Sequence, residues 1–173
     1  MCVIKPHCLS LKYAGAWVMN VCALVLLIWP LGGCEGTPTS ESESFDPCGD
    51  APRDTYTSGL EKLGSDGLVK VRILQADPAP PDLQVDVDYN VWSIELVDMN
   101  DQTAEGAAIV VTPSMPQHDH GTVPDPMVIE EGQGIYTISH INLFMPGVWE
   151  ILFEITLQDG TSDTLTFQFC CEG

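Results

Sequence analysis

From Leu68 almost to the C-terminus, apolar and polar residues alternate with a period of two, and this pattern constrains the fold more than any other feature of the chain. In "LVKVRILQ", Val69, Val71 and Ile73 fall on one side and Lys70 and Arg72 on the other. In "VWSIELVD", Trp92, Ile94 and Leu96 oppose Ser93 and Glu95. The runs "AAIVVTP", "MVIEEG", "GIYTISHIN", "VWEILFEITL" and "TLTFQF" follow, parted by turn clusters such as "MNDQTAEG" and "LQDGTS". Successive side chains of a strand point to opposite faces, so each run reads as a half-buried strand. Trp149, Ile151, Phe153, Ile155 and Leu157 form an inward stripe on the longest of them, and Asp159-Gly160 supplies the final hairpin turn.

Seven such strands with no helix-length pattern between them predict an all-β domain, a seven-stranded antiparallel immunoglobulin-like β-sandwich. "GQGIY", Gly132 to Tyr136, resembles a tyrosine corner, in which a tyrosine at the start of the sixth strand bonds back to upstream backbone. Tyr136 is therefore expected to set the fold and to carry no functional role.

The first third of the chain differs. Lys5 and Lys12 precede a mostly apolar run from Ala14 to Trp29, too short to span a bilayer comfortably and suited to a secretory leader. "LGGC", Leu31 to Cys34, resembles the bacterial lipobox, which implies cleavage after residue 33 and a diacylglyceryl group on Cys34. Acyl chains hold a protein to a membrane at ~0.8 kcal/mol per buried methylene. Glu35 follows the cysteine, where an Asp would imply inner-membrane retention, so the expected place is the outer membrane, facing the periplasm. From Glu35 to about Gly59 the sequence is poor in aliphatics and rich in Ser, Thr, Pro, Gly and acids, as a tether is, with a helical turn expected at Leu60 to Leu63. The expected organisation is thus a leader over 1–33, an acylated N-terminus and disordered linker over 34–62, and a sandwich domain over 63–173.

Charge and cysteines agree with export. All 25 acids lie beyond the leader with only Arg53, Lys62, Lys70 and Arg72 to oppose them, a net charge of about −21, so nucleic acid is not a partner. Cys2, Cys8 and Cys22 leave with the leader, and Cys48, Cys170 and Cys171 remain for an oxidising compartment. Phe167, Phe169 and Cys171 share one parity; with the phenylalanines inward, Cys170 faces outward and is the expected partner of Cys48.

The chemistry-bearing residues gather in "SMPQHDHG", Ser114 to Gly121, and in "FMPGVW". The segments after the third and fifth strands are separated by two traversals of an up-and-down arrangement, so they leave the same end of the domain. This would bring Met115, His118 and His120 near Met145, with His140 at the end of the fifth strand and Met127 at the start of the fourth. Thioether and imidazole donors suit copper, zinc being second choice, whereas calcium and magnesium want oxygen. The chain lacks the Gly-x-Ser-x-Gly, Cys-x-x-Cys, phosphate-loop and His-Glu-x-x-His patterns, so no enzymatic role is expected.

Over about Val85 to Phe169 the chain resembles the YtkA-like domain family of small exported bacterial sandwiches. The resemblance rests on "NVWSIELVDMNDQTAEGAAIVV", "MPQHDHG" and "GIYTISHINLFMPGVWEILFEI", with the family's marks at Met115, Pro116, His118, His120, Gly121, Met145, Gly147 and Trp149. Asp119 stands where relatives commonly have glycine. The resemblance implies a lipid-anchored envelope protein binding or carrying copper, with copper-handling proteins as neighbours. The competing expectation is a metal-free envelope module that contacts another protein through its end loops.

Overall fold

The structure is a computed structural model describing residues 46–83 and 90–172. The leader, Cys34 and the tether up to residue 45 lie outside the described residues. Nine strands follow in chain order: β1 (Leu60–Leu63), β2 (Val69–Asp77), β3 (Val91–Asp98), β4 (Ala108–Met115), β5 (His120–Gly121), β6 (Met127–Gly132), β7 (Ile135–Ser139), β8 (Gly147–Thr156) and β9 (Ser162–Cys171). They form an antiparallel five-stranded sheet, β1-β2-β3-β7-β6, facing a four-stranded sheet, β5-β4-β8-β9. No described residue is helical.

The seven strands expected from the period are β2, β3, β4, β6, β7, β8 and β9. Lettered A to G they run A-B-E-D in one sheet and C-F-G in the other, the constant-type immunoglobulin arrangement. The core forms where the two inner faces meet. Trp92, Ile94 and Leu96 from β3 and Trp149, Ile151 and Phe153 from β8 are fully buried. The Trp92 ring meets Phe169 edge-on at 5.6 Å between centroids, and Phe153 meets Phe167 at 5.8 Å. Such pairs add about 0.5–1.5 kcal/mol each beyond area burial.

Three expectations are corrected. The strand count is nine because β1 and β5 are too short to show a period. Leu60–Leu63 is a strand rather than a helical turn, paired in register from Leu60↔Ile73 to Leu63↔Lys70. The domain also begins well before residue 63. Cys48 is buried and disulfide-bonded to Cys170, Asp54 exchanges hydrogen bonds with the Gln168 backbone, and the Tyr56 hydroxyl accepts from the Ala76 N–H at 2.9 Å. This segment is held by a covalent staple and polar bonds, which an aliphatic count does not register.

Tyr136 forms the expected lock, though on β7, the fifth of the seven lettered strands rather than the sixth. Its hydroxyl donates to the Ala104 carbonyl at 3.0 Å and accepts from the Ala107 N–H at 3.1 Å, tying β7 to the β3–β4 connection. Tyr136→Phe leaves both backbone groups short of a partner. It is expected to lower the unfolding free energy by about 1–2 kcal/mol in a urea titration, and a loss within error of zero would contradict the lock.

Candidate functional site

The end of the sandwich that carries "SMPQHDHG" is built by a tight hairpin. β4 and β5 pair Ser114↔Gly121 and Met115↔His120, and the four residues between them turn with the His118 N–H donating to the Met115 carbonyl. Asp119 closes the turn at φ 54°, a left-handed conformation that Asp tolerates and glycine favours. The Asp119 side chain is exposed.

Residues opposite one another in an antiparallel pair share a face, so His120 stands on the inner side with Met115. Met115 is fully buried, and its methyl lies so close to Gly147 that a Cβ built there would be 2.6 Å from it. Gly147 also has φ 134°, outside the range of L-residues with side chains. The two loops therefore converge, and Gly147 is what admits the Met115 thioether beneath them.

Above Met115 lies a group of four rings. The His118 and His120 centroids are 5.8 Å apart. His120 stacks on Phe144 at 5.9 Å and meets Trp149 edge-on at 6.0 Å, while Phe144 and Trp149 are 5.6 Å apart. The Trp149 indole N–H donates to the Met145 carbonyl at 2.9 Å, which fixes the loop that carries the half-buried Met145. His120 Nδ1 lies 3.1 Å from the Gly121 carbonyl. A carbonyl only accepts, so Nδ1 carries the proton in this contact and Nε2 of the neutral ring keeps its lone pair. Metal-binding histidines are commonly oriented in this way.

His140 follows β7 in a left-handed conformation, φ 66°, with Nδ1 buried. Three imidazoles do not close on one point. Among the described residues, the only three His, Cys, Asp or Glu donors within 4.8 Å of one another are Asp46, Cys48 and Cys170, and the two sulfurs of that group are joined as a disulfide. Met127 is half exposed on β6, opposite Ser139. The structure thus gathers His118 and His120 over Met115 and beside the Met145 loop. Sequence reasoning overlooked Phe144, whose signal was an aromatic beside Met145, and did not place Trp149 against His120.

Compared with protein-family models, curated proteins and solved structures, the chain matches none.

Proposed function

We propose that this chain is an exported, non-catalytic lipoprotein whose sandwich binds copper at the His118–His120 end. In this reading Cys34 carries the lipid, the outer membrane holds the protein facing the periplasm, and its partners are copper-handling proteins of the envelope. The observation that carries the proposal is His120, with Nδ1 tied to the Gly121 carbonyl and its ring between His118, Phe144 and Trp149. The donor set fits: two imidazoles with a half-buried thioether suit Cu(I), and His also accepts Cu(II). His118, His120 and Met145 would hold the ion. Met115 serves chiefly as the packed floor beneath them, and the three imidazoles His118, His120 and His140 do not all come within 4.8 Å of one another. The rings of Phe144 and Trp149 would limit the approach of water, which favours the less strongly hydrated ion.

The test is a Cu(I) titration in competition with a chelator, read also by tryptophan emission because Trp149 lies 6.0 Å from His120. Sub-micromolar binding with quenching is expected, and His118→Ala/His120→Ala is expected to weaken it about a hundredfold, in line with losing ligands rather than outer partners. Weak binding, equal in parent and variant, would end the copper reading.

A further inference from the structure

Opposite the side where the basic residues sit, the sandwich has an unfinished edge. β6 ends the first sheet, and in the second sheet β4 is covered by β5 only at Ser114 and Met115. Variable-type immunoglobulin domains add a further strand next to β4's counterpart; here β5 is a two-residue stub of it. From Ile109 to Pro113 the outer edge of β4 has no strand partner among the described residues.

The direction of the backbone groups is fixed by Pro113. A proline in a sheet sits where its missing N–H would face away from the neighbour. Gly121 agrees, since a Cβ built there would be 2.8 Å from the Pro113 carbonyl, which places that oxygen on the β5 side. Period two then turns the N–H and C=O of Ile109 and Val111 to the open edge, while their side chains enter the core. Beside this edge lies a cavity of about 440 Å³, lined by β4, by Gly121 and Thr122, and by the segment leading into β6. Thr122 lines it, is 8% exposed, and its hydroxyl has no hydrogen-bond partner among the described residues. At one end Glu130 accepts from the Gly106 N–H at 2.7 Å, and at the other β5 closes the groove.

The charge around the edge is of one sign. Asp125 lines the cavity, Glu130 and Glu131 lie on β6, and Glu154 stands opposite Val110. The bases are elsewhere: Lys62, Lys70 and Arg72 lie on β1 and β2 and are paired with Asp54, Asp101, Glu61 and Glu95, while Arg53 donates to the Gly49 carbonyl. We infer that the β4 edge is a docking site for an extended, basic segment of a partner protein, which adds as a strand beside Ile109 and Val111. The main-chain ladder supplies the attachment, the buried Thr122 hydroxyl gains a partner, and the acidic rim selects lysine or arginine at alternate positions. This site is separate from the copper reading and stands without it.

The test uses the full-length chain and a capped octapeptide alternating Lys and Val, with amide hydrogen exchange as the readout. Exchange at Ile109 and Val111 is expected to slow about tenfold on saturation, because amides paired in a ladder open rarely. A Glu/Val octapeptide and a Lys/Val octapeptide N-methylated at alternate positions are expected to give no slowing. Thr122→Val keeps the shape of the site and is expected to weaken the Lys/Val peptide several-fold. No slowing with the Lys/Val peptide, or equal slowing with the Glu/Val peptide, overturns the inference. So does slowing that appears without peptide as protein concentration rises, which would assign the edge to a second copy of the chain.

Discussion

Replacing Cys48 and Cys170 together with serine is expected to lower the unfolding free energy by about 3–5 kcal/mol while leaving the two-sheet core intact. The bond joins residues 122 apart in sequence, so it closes most of the domain into one loop and restricts the unfolded chain strongly. Urea unfolding of the oxidised parent and of the double variant, compared at neutral pH, gives the difference directly. A change under about 1 kcal/mol would show that the unfolded chain is already compact enough for the crosslink to matter little. The pairing itself is protected by the third cysteine's surroundings. Cys171 is fully buried, and burial, with a smaller contribution from the charge of Asp82, pushes its thiol up to about 12. Only the thiolate attacks a disulfide, so Cys171 does not exchange with its neighbour at neutral pH.

The legible parts of the sequence were those where one face of a strand is dry. Trp92, Ile94 and Leu96, or Phe167, Phe169 and Cys171, alternate with polar residues because the inner face alone excludes water, and that period survives in the sequence. The same alternation indicated which terminal cysteine faces outward. What was hidden depends on partners distant in sequence. β1 is only four residues long, and its identity as a strand comes from pairing with β2. Residues 46–59 look like a tether because they contribute little apolar surface, yet Asp54 and Tyr56 each take a backbone partner on another strand. For the candidate site, the convergence of the two loops followed from counting strand traversals, and the contact of Met115 with Gly147 agrees with it. The aromatic setting of His120 did not follow, because ring packing is decided by loop shape rather than by period.

Asp163→Ala is expected to remove about 2–4 kcal/mol of stability, the usual consequence of deleting a charged acceptor shared by several backbone donors. The Asp163 side chain is almost fully buried and holds the β1–β2 turn against β9. Its carboxylate accepts from the backbone N–H groups of Asp66 at 2.9 Å, Leu68 at 2.8 Å, Val69 at 3.3 Å and Thr164 at 2.8 Å. Gly64 makes the wrapping possible, since a Cβ there would fall 2.0 Å from the carboxylate. Alanine at 163 would leave these donors without their shared acceptor. Burial pushes the Asp163 carboxyl upward, but the backbone donors outweigh it, and the net position is below the ordinary Asp value. A carboxyl lowered in the folded state stabilises the fold fully above its unfolded value, near ~3.9, and loses that contribution as pH falls toward the folded value. The parent should therefore lose stability on acidification below about pH 4 more steeply than Asp163→Ala, which lacks the group. Measured as urea midpoints from pH 7 down to about pH 3, the two stability curves should converge at the acid end. Parallel curves would mean that Asp163 binds its proton equally well folded and unfolded, and that the four N–H groups contribute packing order without favouring the charge.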